Sequence, residues 1–444
     1  MFFDVMRGKD KIKVVWLCHF SNAFVHEKLD LKFNHLIGLL RHIVHQPISI
    51  EVPEFANWIT NGIIEFEKRD DVELHVISPY SHLKSKIQEF SEKHVYYHFF
   101  QNEDDSIYTI LYKKFFRPDD YKYSKNRKTI EKLIKKIKPD IVHLFGAENP
   151  DYATGVFSIP KDVIIIAQLQ TLLSDPNFKS KYPIDEKIYN YRAKVEKNIL
   201  LKADYLGTIA KRYRDIIHND ITHNAIILNT TLALKDPIVM SHCDKQFDFV
   251  YFAADIKKAA DLAIEAFGIA FQKDHSITLD IIGDYSQGYM HEIDVIIDKY
   301  GVREAIRFEG KLPTHEDVLK QIRKSRFALL PLKIDLVSGT IREAMSNGLP
   351  VITTDTGVLG TQLLNVERPC ALLSAIGDHR ALAENMLRIL DDKGLADELR
   401  QNSYQSRQEA LSNMDVVGKY VEAYRACLEH QMNNSPLPKE LTEI

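Results

Sequence analysis

The chain lacks any long apolar run: no stretch in its 444 residues approaches the roughly 20 that a helix needs to cross a bilayer. Its beginning, Met1 to Lys13, is charged and mixed and carries no signal-peptide core. Cysteine is scarce. Cys18, Cys243, Cys370 and Cys427 lie far apart and form no C-x-x-C pair. That argues against a disulfide framework or a zinc site and fits a reducing cytosol. An excess of basic charge is missing too, since the formal net charge is -4, which argues against a general nucleic-acid binder. No G-x-G-x-x-G follows the first apolar run and no P-loop occurs, against a dehydrogenase or NTPase. His19, His143 and the His242-Cys243 pair lack metal-ligand spacing and read as ordinary polar or core histidines.

What is present is a globular composition, 45% apolar and 27% charged, in a chain too long for one ordinary core. Short apolar runs alternate with helix-length amphipathic segments. The first half has runs at Lys13–Cys18, Val72–Ser78, Ile141–Phe145, Val163–Ala167, Tyr205–Thr208 and Ala225–Leu228. Helical patterns lie between them at Pro53–Lys68, Lys125–Ile137 and Glu186–Lys202. The second half repeats the alternation from Phe247–Ala253 to Ala371–Leu373. Such βα units with near-continuous apolar strands predict parallel sheets covered on both faces. The expected architecture is α/β, with two doubly wound Rossmann-like domains facing an interdomain cleft. The expected boundaries are 1–235 for the first domain and 236–412 for the second. A helix over 413–432 is expected to pack back toward the N-terminal domain, followed by a tail over 433–444 whose start, Asn433–Pro438, reads as frayed coil.

The segment Asp335 to Thr353 holds the strongest local signal. Ser338-Gly339-Thr340 follows an apolar strand and opens a helix that stops at Asn347-Gly348. Backbone N–H groups at such a helix start favour an anion, and Glu343 sits one turn in. The same residues also suit an ordinary capping box, with Ser338 or Thr340 as cap and Glu343 completing it. Gly283-Asp284 ends a strand, as a plain turn would. Lys257 and Lys258 precede a helix, where a solvated pair is common but the dipole disfavours cations. Gly146 to Pro150, and Gln168 to Thr171, put polar groups at strand ends of the first domain, as turn residues also would. From Lys113 to Lys138 there are eleven Lys or Arg, with Phe115, Phe116, Tyr121 and Tyr123 interleaved. That pattern suits either a solvated helix face or peripheral contact with an anionic membrane.

Across roughly residues 247–410 the chain resembles the retaining family 4 glycosyltransferases of the GT-B fold, bacterial surface-polysaccharide type. Phe247–Ala253 with Lys258 resembles the family's G-R…K-G segment. Leu279-Asp-Ile-Ile-Gly-Asp284 is similar to L-x-I-x-G-x-G, and Ile306-Arg-Phe-Glu-Gly310 to V-x-F-x-G. Asp335 to Glu343, then Ala344-Met-Ser-Asn-Gly-Leu-Pro350, is similar to E-x7-E and its E-A-M-A-x-G-x-P continuation. Ile141–Pro150 and Ile165–Thr171 resemble, more loosely, a subset linked to surface polysaccharides. Departures are Asp335 for the first Glu, Ala253 or Ala254 for the diphosphate Arg, and Gln168 or Gln170 where a His is common. The first βα loop, often Gly-Gly, reads His19-Phe-Ser21-Asn22.

The resemblance implies transfer of a sugar, with retention, from a UDP- or GDP-linked donor to a hydroxyl of a glycan or lipid-linked acceptor. Capsule, O-antigen or exopolysaccharide synthesis in the cytoplasm, at the inner membrane face, is the implied setting. No metal and no cofactor are expected. The reacting residues would be Glu343, Asp335, Lys258, Gln168 and Gln170. Donor binding would use Ser338, Gly339, Thr340, Lys257, Gly283, Asp284, Gly310 and Leu312. The acceptor side would use Glu148, Asn149, Ser21 and Asn22. The alternatives are a catalytically weakened binding protein or a nucleotide-sugar epimerase on the same frame.

Overall fold

The computed structural model describes residues 11–31, 54–115, 122–176, 178, 185–233, 244–253, 259–333, 339–356, 369–410 and 413–443. They divide into two units, Met1–Ala233 with Asn413–Ile444, and Leu234–Ser412. The division falls two residues before the expected boundary, and the segment from 413 onward belongs to the first unit.

The first unit is built on an eight-stranded sheet. Its strands are β1 (Ile12–Leu17), β2 (Val72–Tyr80), β3 (Ile87–Glu92), β4 (Val95–Gln101), β5 (Ile141–Phe145), β6 (Ile164–Gln168), β7 (Tyr205–Gly207) and β8 (Ile227–Leu228). The order is β3-β4-β2-β1-β5-β6-β7-β8. Every pairing is parallel except β3 with β4. Strands β5 and β6 are buried at every residue, as expected where both faces of a parallel sheet are covered. The connecting helices include α1 (Ala23–Lys28), α2 (Asn57–Phe66), α3 (Ile107–Phe115), α4 (Ser124–Ile137), α5 (Pro150–Ala153), α6 (Glu186–Lys202) and α7 (Lys211–Ile216). Helix α4 buries Ile130, Leu133, Ile134 and Ile137, at the spacing that puts them on one face.

The β3–β4 hairpin escapes the sequence reading. Its two-residue turn is Lys93-His94, both at positive φ (41° and 69°). Asn and Gly normally mark such a turn, so no composition signal announces it.

The second unit has a six-stranded, wholly parallel sheet in the order β11-β10-β9-β12-β13-β14. These strands are β9 (Phe247–Phe252), β10 (Leu279–Ile282), β11 (Ile306–Gly310), β12 (Ser325–Leu329), β13 (Val351–Asp355) and β14 (Ala371–Ala375). Counted within the unit this is the 3-2-1-4-5-6 order of the doubly wound dinucleotide fold. Helices α8 (Ala260–Phe271), α9 (Gln287–Tyr300), α10 (His315–Ile322), α11 (Gly339–Ser346), α12 (His379–Asp391) and α13 (Lys393–Ala410) accompany the strands. Phe249, Ile281, Phe267, Ile293, Ala344 and Leu382 meet in one apolar core.

The chain then returns to the first unit. Helix α14 (Asn413–Asn433) inserts Tyr420 and Tyr424 among Trp16, His143 and Phe145. Trp16 Nε1 donates to Tyr424 Oη at 3.0 Å, and Tyr424 Oη lies 2.7 Å from His143 Nδ1. In the tail, Asn434 to Pro438 form neither helix nor strand, as expected, and order resumes beyond them. Helix α15 (Lys439–Thr442) buries Leu441. Asn229 N and Arg214 Nη1 donate to the carbonyls of Leu441 and Thr442 at 2.6 and 2.7 Å. Among the described residues no helix is long and apolar enough to cross a membrane. Cys18, Cys370 and Cys427 are buried and form no disulfide; Cys243 lies outside the described residues.

Candidate functional site

In the first unit the strand order reverses between β1 and β5, and ligands of such sheets bind outside the carboxyl ends of the strands there. Ser21 and Asn22 leave β1 at that point, and Glu148 and Asn149 leave β5. Both β1 residues are committed to local structure. Ser21 exchanges backbone hydrogen bonds with Phe55 at 3.1 and 3.3 Å, and its Oγ lies 3.1 Å from Tyr80 Oη. Asn22 caps α1 by accepting from Val25 N at 2.8 Å, and it donates to Thr60 Oγ1 at 3.0 Å. Glu148 is buried, with Oε1 accepting from Asn149 Nδ2 at 3.2 Å. Arg192 Nε donates to the Glu148 carbonyl at 2.8 Å and fixes this loop against α6. Gly146 makes the turn possible: its φ is +89°, and a Cβ there would lie 2.8 Å from Tyr152 Oη.

His19 joins this end of the sheet, with its ring 4.8 Å from Phe55 and 6.1 Å from Tyr152 between centroids. Burial pushes its pKa down to about 4, against the pull of Asp104, so the imidazole is neutral at pH 7. The packing agrees with its reading from sequence as an ordinary polar or core histidine.

Gln168 is buried and fully used. Its Nε2 donates to the carbonyls of Gly207 and Thr230, both at 3.1 Å, and its Oε1 accepts from Thr230 Oγ1 at 2.6 Å. This knot ties β6 to β7 and to the segment after β8. Gln170, two residues on, is half-buried. The loop beyond it hangs on Glu196 of α6, which accepts from Leu173 N and Ser174 N at 3.0 and 3.2 Å. Burial raises the Glu196 carboxyl to about 8, and the nearby charge of Glu148 adds to the rise.

In the second unit the order reverses between β9 and β12. Lys257 and Lys258 in the loop after β9, and Asp335 and Ser338 in the loop after β12, lie outside the described residues. What flanks them is well defined. Gly283 follows β10 at φ +155°, and a Cβ there would lie 2.8 Å from the Ala253 carbonyl. Gly283 N donates to Gly310 O at 3.0 Å, which joins two of the expected donor-side glycines directly. Gly310 has φ +69°, and a Cβ there would meet no described atom within 4 Å. Asp284 is exposed and Leu312 half-buried against the core.

Helix α11 begins at Gly339, with Thr340 next and Glu343 one turn later. The backbone of Gly339 is not left-handed, and a Cβ on it would meet nothing within 4 Å. Neither conformation nor described neighbours therefore require glycine at this place. The Glu343 carbonyl accepts from Asn347 N at 3.0 Å and from its Nδ2 at 2.8 Å, while Gly348 at φ +72° ends the helix. The Glu343 side chain turns the other way, and its Oε1 lies 3.1 Å from His315 Nε2.

A further cation stands where β12 ends. Lys333 Nζ lies 2.6 Å from Asp261 Oδ2 in the first turn of α8, and Asp261 Oδ1 accepts from Tyr289 Oη at 2.7 Å. Nothing local in the sequence singles out Lys333 or His315, because the groups beside them, Asp261 and Glu343, are 72 and 28 residues away. Among the described residues, no three His, Cys, Asp or Glu side chains converge as a metal site.

Residues 242–406 match the family model for glycosyl transferases group 1. A search among curated proteins finds no match. Solved structures are similar over most of the chain. Sucrose-phosphate synthase from Thermosynechococcus elongatus is 14% identical with a TM-score of 0.66, over 94% of this chain and 98% of that one. HepE from Anabaena, solved with UDP and glucose, is 12% identical with a TM-score of 0.61, over 94% and 100%. TarM from S. aureus, solved with UDP and α-GlcNAc-glycerol, is 16% identical with a TM-score of 0.56, over 68% of this chain and 58% of TarM. The chain thus has the GT-B fold, and residues 242–406 are where it matches the glycosyl transferases of group 1.

Proposed function

We propose that this chain is a retaining glycosyltransferase. It moves a sugar from a UDP- or GDP-linked donor to a hydroxyl of a glycan or lipid-linked acceptor in bacterial capsule, O-antigen or exopolysaccharide synthesis. The observation that carries the reading is Gly339. It opens α11 with no described atom within 4 Å of where a Cβ would stand, and Glu343 is one turn behind it. A helix start stripped of side chain suits a diphosphate, and a carboxylate one turn in suits ribose hydroxyls. The group 1 match covers this region, and the HepE and TarM structures were solved with UDP.

In this reading Ser338, Gly339 and Thr340 hold the phosphates, and Lys258 or Lys257 balances their charge. Gly283 and Gly310 let the base approach the backbone beside Asp284 and Leu312. Asp335 accepts from donor-sugar hydroxyls. Catalysis is then mostly positioning and charge stabilisation, with the leaving diphosphate helping to deprotonate the acceptor and no metal needed. Glu148 and Asn149, with Gln170, serve the acceptor side.

The test is product analysis. An α-linked nucleotide sugar with a glycan acceptor should give an α-linked product by proton NMR. A β-linked product would exclude retention. A second reading, a protein that binds the donor without transferring sugar, is favoured by the commitment of the Gln168 amide to Gly207 and Thr230. Tight nucleotide binding with no product from any acceptor would select it.

Contact with the membrane is part of the proposal. Lys122, Lys125, Lys128, Lys132, Lys135, Lys136 and Lys138 are exposed on and beside α4. Tyr123 is buried and cannot serve as an interfacial anchor. Phe116 and Tyr121 lie outside the described residues. The apolar face of α4 is used inside the unit, so contact is electrostatic. Sedimentation with anionic liposomes should occur at low salt and fade near 0.15 M, roughly where screening shortens to about 8 Å. No sedimentation at low salt contradicts it.

A further inference from the structure

His75 on β2 and His98 on β4 have no place in the reading so far. The two strands are parallel neighbours, and both side chains are buried. His75 Nδ1 lies 2.9 Å from His98 Nε2. The ring planes differ by 18° and the centroids are 5.2 Å apart, further than the nitrogens, so the rings meet end to end. Their outer nitrogens face carboxylates. His75 Nε2 is 2.9 Å from Glu73 Oε1, and His98 Nδ1 is 2.6 Å from Glu89 Oε1. Each carboxylate also holds a lysine at 2.7 Å, Lys13 of β1 on Glu73 and Lys136 of α4 on Glu89. Tyr96 of β4 stacks on His75 at 4.7 Å. A surface cleft of about 360 Å³ reaches both imidazoles, so protons can exchange with solvent.

If both rings are neutral, this line of groups lacks one hydrogen. Against burial, the hydrogen bonds from His75 and Lys13 keep Glu73 below the usual carboxylate range, and those from Lys136 and His98 do the same for Glu89. Ionised carboxylates only accept, so both outer nitrogens carry hydrogen, and a neutral imidazole has no second N–H. Two lone pairs would then face each other at 2.9 Å, the length of a hydrogen bond. One proton between them removes the conflict. A tetrahedral zinc ion does not fit there, because bonds of about 2.0–2.1 Å need the nitrogens further apart. Burial lowers each imidazole taken singly, against the pull of Glu73 on His75 and of Glu89 on His98. The facing lone pairs reverse that for the first proton, and repulsion between two imidazoliums strengthens it for the second. The pair therefore titrates in two steps, one above the ordinary 6.5 and one below it.

We propose that His75 and His98 hold one shared proton that ties the β3–β4 hairpin to β2, a pH-sensitive latch at the edge of the first unit. A first pKa raised above that of the unfolded chain gives stability that is complete below about 6.5 and lost as pH rises through the folded value. The test is NMR of the full chain with isotope-labelled histidine, together with amide hydrogen exchange over β3 and β4, from about pH 6 to pH 9. The two rings are those whose signals move in both Glu73→Gln and Glu89→Gln. In wild type they should share one proton at neutral pH and release it together at higher pH. Exchange over β3 and β4, corrected for its intrinsic pH dependence, should then rise about 10- to 100-fold, the range of one hydrogen bond to a charged group. Glu89→Gln offers an N–H to His98 Nδ1, and Glu73→Gln offers one to His75 Nε2. Either lets a neutral pair bond fully, so both rings should be uncharged at neutral pH and the exchange should lose its pH response. Both carboxylates are about a third exposed, so these variants keep the fold. Two uncharged rings in wild type at neutral pH would overturn the proposal. So would exchange that stays constant when the proton leaves, or a pH response equal in wild type and both glutamine variants.

Discussion

Replacing Gly339 by alanine should weaken nucleotide binding while leaving the fold intact. The added Cβ meets no described atom within 4 Å, and Gly339 is part of an α-helix. The described residues therefore oppose no clash or strain to it. Alanine is the better helix former by roughly 0.5–1 kcal/mol in a helix interior, and less at the first position, so stability should be unchanged or slightly higher. A bound phosphate behaves differently. An oxygen accepting from a backbone N–H sits about 2.9 Å from the nitrogen, and a methyl group on the adjacent Cα intrudes on the neighbouring oxygens. A tenfold loss of affinity corresponds to about 1.4 kcal/mol, and a loss of at least that size is expected. Urea unfolding gives the first quantity, and titration with UDP and GDP gives the second. Normal affinity in a normally stable Gly339→Ala protein would refute the reasoning, because the start of α11 would then hold no ligand.

Other substitutions probe the frame around that helix. Gly283→Ala should destabilise the second unit, by about 1–3 kcal/mol for the backbone conformation alone, because φ is +155° and the new Cβ would press on the Ala253 carbonyl at 2.8 Å; wild-type urea stability would contradict this. Gln168→Leu should lower stability by about 2–5 kcal/mol, since it strands the carbonyls of Gly207 and Thr230 and the Thr230 hydroxyl; a loss of activity at full stability would instead give Gln168 a chemical role. Stability should also depend on pH from both sides. His143 and His19 are pushed down to about 3 and 4 by burial, so the unfolded chain takes up their protons first. Their contribution is complete above about 6.5 and is lost as pH falls toward the folded values. Glu196, raised to about 8, contributes fully below about 4.5 and loses that contribution as pH rises through 8. His143→Phe should flatten the acid limb of a stability–pH curve, and an unchanged limb would contradict the assignment.

Much of the frame was legible because the βα alternation is a local pattern. The helix over Glu186–Lys202 and the strand over Ile141–Phe145 stand as the periodicity predicts. The β3–β4 hairpin was illegible because Lys93 and His94 adopt left-handed angles with none of the usual turn residues. The order of the last residues was illegible for a different reason. Asn434 to Pro438 are coil, as their polar, proline-bearing composition says, but Asn229 and Arg214, more than two hundred residues away, bind the carbonyls of Leu441 and Thr442. The same limit applies to the site. Gly283, Gly310, Gly339 and Glu343 could be named from order along the chain. The groups beside Glu343 and Gln168 are distant in sequence, and only the fold brings His315, Gly207 and Thr230 to them.

The central claim is that the second unit binds a nucleotide through α11 and Glu343. Calorimetric titration of wild type and Glu343→Ala with UDP and GDP tests it most directly. The account predicts that one of the two nucleotides binds wild type and that Glu343→Ala binds it at least tenfold more weakly, a loss of about 1.4 kcal/mol within the range for hydrogen bonds to a charged group. Failure of both nucleotides to bind wild type, or equal affinity in the two proteins, would contradict it.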